Sequence, residues 1–269
     1  MPLVRKLMIL MAISLTCVVS AQEKTSFIIG SHNIKYYPHY DFDSDVKKGF
    51  AWSFLEAFAK HEGITFDYVS LPIKRLQTEL INGNVDVVFP DNPKWYNQIV
   101  PLESKTFSQP VYFALGGSFV LRRNEDIVVD DVKRVSVPNG FSPVMWRDRI
   151  ESNLTMLLEV SDSMAALNLV LSGRADISDM EYSTVEYLKS KHPIYNDIIL
   201  APNLPFDVVA FHMATIRYPE LMIALDRFMQ SNETFIADLK KQHGIADAHA
   251  VATRTFGGTT VHLAEKNED

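Results

Sequence analysis

The first half of the chain alternates between short apolar runs and longer amphipathic segments. Residues 25–32, 64–71 and 85–89 are rich in apolar and β-branched side chains, which favours strands. Residues 49–63 and 72–84 place apolar side chains at helical spacing, and each segment contains a glycine where a helix would stop. This alternation of strands and helices predicts an α/β fold built on mostly parallel sheets.

The same unit recurs in the second half of the chain. The segment ELINGNVDVVF at 79–89 is echoed by LVLSGRADISD at 169–179, and each joins a helix end, a glycine, an aspartate and a β-branched residue. The two aspartates, Asp86 and Asp176, are 176 − 86 = 90 residues apart, and we interpret both as structural. Two similar units at this spacing predict two lobes of related topology.

Two later segments are suited to crossing between the lobes. Residues 111–123 and 197–213 are extended apolar runs that contain glycine or proline. Residues 219–244 predict two closing helices, whereas residues 246–269 lose the apolar periodicity and predict a mobile tail. The predicted boundaries are residues 22–115 and 206–245 for lobe 1 and residues 116–205 for lobe 2.

The first 21 residues have the pattern of a cleaved secretory signal peptide. Two basic residues precede an apolar run from Leu7 to Val19, and small residues lead up to a cleavage point after Ala21. Cleavage would remove the only cysteine and leave a net charge of (26 − 2) − 33 = −9. An acidic protein without a basic stripe is a poor candidate for nucleic-acid binding. We therefore expect an exported, soluble protein without disulfides.

Five segments in order carry a resemblance to a known family. They are GFAWSFLEAFAKHEG, LPIKRLQTELINGNVDVVF, FSQPVYF, VSVPNGFS and ALNLVLSGRADISDMEY. Through them, over about residues 26 to 245, the chain resembles the bacterial extracellular solute-binding proteins of family 3, which include polar amino acid receptors of ABC transporters. The resemblance implies a periplasmic binding protein-like fold: two α/β lobes joined by two crossing strands, with ligand held between them by hinge closure.

One departure from the family indicates the kind of ligand. In the family, the segment after the strand VDVVF carries an arginine that clamps the ligand's α-carboxylate. Here the segment at 91–98 reads DNPKWYNQ and contains no arginine. Glu181 falls five residues beyond Asp176, where the family places an acid for the ligand's ammonium, and Asp91 adds a second carboxylate. The site therefore favours a cationic amine, including a polyamine.

Aromatic side chains near the same segments support an amine ligand. Tyr36, Tyr37 and Tyr40 lie in the loop after the first strand, and Trp95 lies in the segment without arginine. The faces of such rings attract a cation by about 0.5–2 kcal/mol each. We expect these four rings to surround the ligand's amine.

Other residues keep a zwitterionic amino acid or a carboxylate open as the ligand. Arg75, in the P-x-x-R pattern that some family members carry, or Lys94 would replace the missing clamp. Gly140 and Ser142, in PNGFS, match a family loop whose backbone N–H groups and hydroxyl favour a carboxylate or carbonyl oxygen. The sequence leaves these ligand classes as alternatives.

The expected function is capture of a small polar ligand without chemistry and without a cofactor or metal. We expect a periplasmic monomer whose partner is either an ABC permease or a membrane-bound sensor. A less favoured alternative is a small-molecule dehydratase or lyase on the same fold, with Glu181 or Asp91 as general acid or base. No P-loop, dinucleotide or nucleophile-elbow motif is present, and DFDSD lacks the glycine and glutamate of an EF-hand.

Overall fold

A computed structural model describes residues 24–95 and 99–257 of the 269-residue chain. The predicted signal peptide and residues 258–269 lie outside the described residues. The strands are β1 (Ser26–His32), β2 (Thr65–Leu71), β3 (Val87–Asp91), β4 (Thr106–Phe107), β5 (Tyr112–Leu121), β6 (Arg134–Pro138), β7 (Met156–Val160), β8 (Ile177–Glu181), β9 (Ile198–Leu200) and β10 (Phe206–Thr215). The helices are α1 (Gly49–Glu62), α2 (Ile73–Asn82), α3 (Arg147–Glu151), α4 (Ser163–Leu171), α5 (Tyr182–Lys191), α6 (Pro219–Ser231), α7 (Glu233–His243) and α8 (Ala248–Phe256).

The sheet has the same strand arrangement in its two halves. Its order is β2-β1-β3-β10-β5-β8-β6-β7, with parallel pairing of β2, β1 and β3 in one half and of β7, β6 and β8 in the other. The long strands β5 and β10 pair antiparallel in the middle and run from one half into the other. The predicted α/β fold with two lobes and two crossing strands is confirmed, whereas the exact lobe boundaries stay a prediction.

Equivalent aspartates fasten the first strand of each lobe. The carboxylate of Asp86 accepts the backbone N–H of Ile28 at 2.7 Å, and that of Asp176 accepts the N–H of Arg134 at 2.8 Å. Each aspartate therefore ties the strand that follows its glycine turn to the neighbouring first strand. The structural role predicted for this pair is confirmed.

Aromatic packing fixes the helices that cover lobe 1. Phe50, Phe54 and Phe58 recur at helical spacing along α1 and are fully buried. The ring of Phe54 lies 5.9 Å from that of Phe228 in α6, so α1 is held against the closing helices. Burying a phenylalanine side chain contributes about 1.5–3 kcal/mol. This packing holds α1 and α6 together as one layer of lobe 1.

The C-terminal segment contains a helix where the sequence predicts a mobile tail. Helix α8 begins after Asp247, whose carboxylate accepts the N–H of Ala250 at 3.0 Å, and ends at Gly257 with φ of 68°. Its buried face packs on the crossing strands, and Phe256 stacks on Phe206 with ring centroids 3.7 Å apart. An apolar stripe of one short helix is too weak a periodic signal to stand out in sequence.

Within the described residues, no helix has the length and apolar character needed to cross a membrane.

Candidate ligand-binding site

A cavity of about 410 Å³, which we call the interlobe cavity, lies where the two lobes meet. Its walls come from the loop after β1, the end of β3, the loop after β6, the end of β8 and the middle of the crossing strands. The parallel strands β3 and β8 both end there, which is where ligands bind in open α/β sheets. Elements of both lobes therefore meet around one partly open volume of a size suited to a small molecule.

Aromatic rings form much of the cavity wall, and three of the four predicted rings are among them. Tyr36, Tyr40 and Trp95 line the cavity. The ring of Tyr36 contacts Phe141 of lobe 2 at 5.2 Å, and that of Trp95 contacts Phe211 at 5.4 Å. These rings offer an apolar and cation-attracting surface to the body of a ligand.

The fourth predicted ring lies elsewhere. Tyr37 does not line the interlobe cavity; its ring contacts Tyr187 of α5 at 4.5 Å, on the other side of the loop. Tyr36 and Tyr37 therefore face different volumes although they are adjacent in the loop. Arg75 is also outside the cavity wall: its guanidinium is exposed on α2 and pairs with Glu79 at 3.4 Å.

Asp91, one of the two predicted acids, lines the cavity but already has internal partners. Its Oδ2 lies 2.5 Å from the ammonium of Lys105, and both side chains are about 95% buried. Its Oδ1 accepts the backbone N–H of Asn92 at 2.8 Å. The charge of Asp91 is therefore balanced within lobe 1. Burial, and then the charge of Lys105, lowers the pKa of nearby His32 to about 4.

Glu181, the other predicted acid, is balanced across the lobes. Nε2 of His39, in the loop after β1, lies 2.5 Å from Oε2 of Glu181 at the end of β8, and His39 is fully buried. The same oxygen accepts the N–H of Thr184 at 2.8 Å, so Glu181 also caps α5. Burial alone would raise the pKa of Glu181, but the charge of His39 and the backbone N–H groups of Ser183 and Thr184 together lower that pKa. A ligand's ammonium would compete here with an imidazole already in place.

Two further acids in the cavity wall were missed by sequence reasoning. Asp179 lies on β8 two residues before Glu181, and Asp207 lies at the start of β10. Within the described residues, neither carboxylate has an ion pair or a side-chain hydrogen bond. Burial, and then the charge of Asp207, raises the pKa of Asp179 to about 7. This pair supplies negative charge that the surrounding chain leaves unbalanced.

The remaining predicted residues also line the cavity. Lys94, Gly140 and Ser142 all belong to the wall, and no ion pair to Lys94 occurs in the described part of the chain. The N–H of Gly140 is donated to Oε1 of Glu159 at 3.1 Å, so it is not free for a ligand. The side-chain oxygen of Gln77, a residue only 4% exposed, lines the same wall without a hydrogen-bond partner. The cavity wall thus contains cationic and polar groups in addition to the two free acids.

Metal binding finds no support in these groups. Within residues 24–95 and 99–257, no set of three or more His, Cys, Asp or Glu side chains is arranged to hold a metal ion.

The comparisons with known proteins found solved structures of similar fold, but no matching family model or curated sequence. An ancestral arginine-binding protein bound to arginine superposes with a TM-score of 0.68 at 16% identity, covering 82% of this chain and 99% of that one. A histidine kinase sensor domain with similarity to periplasmic binding proteins gives 0.66 at 14% identity, over 82% and 96% of the two chains. A periplasmic binding protein of the His/Glu/Gln/Arg/opine family from Silicibacter pomeroyi, in complex with lysine, gives 0.64 at 15% identity, over 82% and 98%. These similarities confirm the two-lobe fold that the family resemblance implies.

Proposed function

We propose that the protein is a periplasmic solute-binding protein that captures a small amine-bearing ligand between its lobes. The observation that carries this proposal is the pair Asp179 and Asp207, two acids in the cavity wall without a cation partner in the described chain. An ammonium placed between them would supply that partner and would remove the repulsion between the two carboxylates. The rings of Tyr36, Tyr40 and Trp95 would hold the rest of the ligand.

The solved structures of the same fold support this ligand class. Two of them contain arginine and lysine, which are both amines with a cationic side chain. In this chain the acid position of the family, Glu181, is occupied by His39 at 2.5 Å, so the ammonium-binding role passes to Asp179 and Asp207. The proposal therefore places the amine near β8 and β10 rather than at the capping carboxylate of α5.

A zwitterionic amino acid is the second candidate ligand, and Lys94 favours it. This lysine is exposed, lines the cavity and has no ion pair in the described residues. It would meet the carboxylate of an amino acid whose amine lies at the acid pair. Since Arg75 is outside the cavity wall, Lys94 is the better substitute for the family's arginine clamp.

The sequence pattern and the fold support export of the protein and a membrane protein as its partner. The amino-terminal apolar run fits a signal peptide, and the two-lobe fold suits delivery of a captured ligand to a membrane protein. We propose an ABC permease or a membrane-bound sensor as that partner; a sensor domain is among the structures of similar fold. Binding without turnover is the proposed activity, because the solved structures of similar fold include amino-acid-binding proteins and a sensor domain.

A two-panel screen tests the ligand class. We expect diamines, polyamines and cationic amino acids to raise the melting temperature of the protein by several degrees, since a ligand at 100 times its Kd adds about 2.7 kcal/mol. Dicarboxylates and amino acids without a second amine form the other panel. Stabilisation by dicarboxylates alone would contradict the role of the acid pair, and formation of a product during the incubation would contradict binding without chemistry.

A further inference from the structure

A second cavity, of about 440 Å³, lies on the other side of the loop that follows β1. We call it the rear pocket. It shares no lining residue with the interlobe cavity. The loop after β1 and the start of α5 lie between the two cavities. In the loop, Tyr36 and Tyr40 face the interlobe cavity while Lys35 and Tyr37 face the rear pocket. The first turn of α5 separates the cavities on the lobe 2 side.

Three lysines line the rear pocket without an ion pair. Lys35, Lys47 and Lys191 have no carboxylate within 4.0 Å in the described chain. The ammonium of Lys47 lies 5.9 Å from the ring of Tyr37 and 6.0 Å from the ring of Tyr187, and that of Lys191 lies 5.7 Å from Tyr187. The two tyrosines contact each other across the lobes, and both ammonium groups lie within cation–π distance of their rings.

A buried hydroxyl in the same wall lacks a partner. Thr184 is 1% exposed and lines the rear pocket, and its Oγ1 forms no hydrogen bond. Buried hydroxyl groups are nearly always hydrogen-bonded, and leaving one unpaired is unfavourable. A ligand oxygen in the pocket would accept the hydrogen bond that this hydroxyl has to donate.

The acids of the rear pocket do not cancel its lysines. Asp162 caps α4: its Oδ1 accepts the N–H of Ala165 at 2.8 Å, and its Oδ2 accepts the hydroxyl of Ser161 at 3.1 Å. Asp41 is the other acid, and His192 is a further group that can become cationic. Three lysines against two aspartates leave an excess of positive charge on the pocket wall, in a protein that is acidic as a whole.

We propose that the rear pocket binds a small oxyanion, a carboxylate or phosphate group, independently of the ligand in the interlobe cavity. Lys47 and Lys191 would supply the charge and Thr184 a hydrogen bond. The pocket takes Lys35, Tyr37 and Lys47 from lobe 1 and Thr184, Tyr187 and Lys191 from lobe 2, so a bound anion favours the closed arrangement of the lobes.

Calorimetric titration of the purified protein with inorganic phosphate and with succinate tests this site. Ionic strength is held constant with sodium chloride, and the interlobe ligand is absent, so the outcome does not depend on the proposed function. We expect saturable binding of at least one anion; tighter binding of succinate would identify a carboxylate site and tighter binding of phosphate a phosphate site. Absence of saturable heat with both anions would overturn the proposal.

Variants locate the binding. The double variant Lys47→Gln with Lys191→Gln should weaken anion affinity about tenfold, since each exposed ammonium contributes about threefold. Thr184→Val should weaken it by a similar factor without changing charge. The matched control is Lys189→Gln, on the same helix but paired with Glu186 at 2.8 Å and outside the pocket wall. An equal loss in the control and the double variant would place binding elsewhere.

Discussion

Replacement of His39 by glutamine is expected to lower the free energy of unfolding by about 3–5 kcal/mol, because the change leaves the buried carboxylate of Glu181 without its counter-charge. Both side chains are at least 94% buried, and their atoms are 2.5 Å apart. The pair joins the loop after β1 to the end of β8, so its loss also weakens the contact between the lobes. Urea unfolding of wild type and variant measures the difference.

A double variant separates the charge from the packing. In His39→Gln with Glu181→Gln no buried charge remains unpaired, so we expect it to recover a large part of the lost stability. His61→Gln is the matched control, since that imidazole is 54% exposed and 3.9 Å from its carboxylate partner; it should change stability by less than about 1 kcal/mol. A single variant as stable as the control would show that the pair does not hold the lobes.

The pH dependence of this effect has a definite sign. The folded-state pKa of Glu181 is lowered, so its ionised form contributes stability above the unfolded pKa of about 4.3, and that contribution is lost as pH falls through the folded value. We therefore expect the difference between wild type and His39→Gln to be large at pH 7 and to shrink below about pH 4. A difference that stays constant down to pH 3 would indicate a loss of packing only.

The fold was predictable because its signals repeat along the chain. Asp86 and Asp176 follow a glycine turn in each lobe and make the same hydrogen bond to a first strand. This repeated pattern lies within a short stretch of sequence in each lobe, and its presence in one lobe supports its interpretation in the other. Helix α8 was missed since it occurs once, is short, and gains its stability from the crossing strands rather than from its own sequence.

The position of the candidate acids was predictable, but their charge balance was not. Asp91 and Glu181 end equivalent strands, and both line the interlobe cavity as expected. Their partners, Lys105 and His39, come from loops whose paths depend on tertiary packing, and His39 is 142 residues from Glu181 (181 − 39 = 142). The sequence alone therefore shows the two acids but not the partners that balance their charge.

One missed residue did leave a signal in the sequence. Side chains two apart on a strand point to the same face, so a cavity-facing Glu181 implies a cavity-facing Asp179. Asp207 gave a weaker signal as a lone acid opening an otherwise apolar crossing strand. These two positions now carry the central test of the proposed function.

Asp179→Asn is expected to stabilise the unliganded protein and to weaken the binding of an amine. The pKa of Asp179 is raised to about 7 by burial and by Asp207, above the usual value of 3.8. The fold therefore loses stability as pH rises from about 4, where the unfolded carboxyl ionises, to about 7, where the folded one does. Removing this carboxylate should add about 1–3 kcal/mol at pH 8 and little at pH 4. Urea unfolding at both pH values measures this gain.

The same substitution should reduce affinity for the amine found by the ligand screen by about 30- to 1,000-fold, because a desolvated ammonium loses one of its two counter-charges. Asp238→Asn, on the exposed face of α7, is the control that changes net charge equally and should alter neither property. Equal losses of affinity and stability in Asp179→Asn would indicate misfolding, whereas a stabilised variant with unchanged affinity would remove the acid pair from the binding site.

Proton release gives the sharpest form of this prediction. An ammonium bound beside Asp179 favours the ionised carboxylate, so amine binding at pH 6, where the free side chain is mostly protonated, should expel up to about one proton. Calorimetry in two buffers of different ionisation enthalpy counts that proton, and at pH 9 the count should fall toward zero. Asp179→Asn lacks this carboxyl group, so amine binding to the variant at pH 6 should release no proton. Release that persists in the variant would assign the linked proton to another group in the cavity, with Asp207 as the next residue to replace.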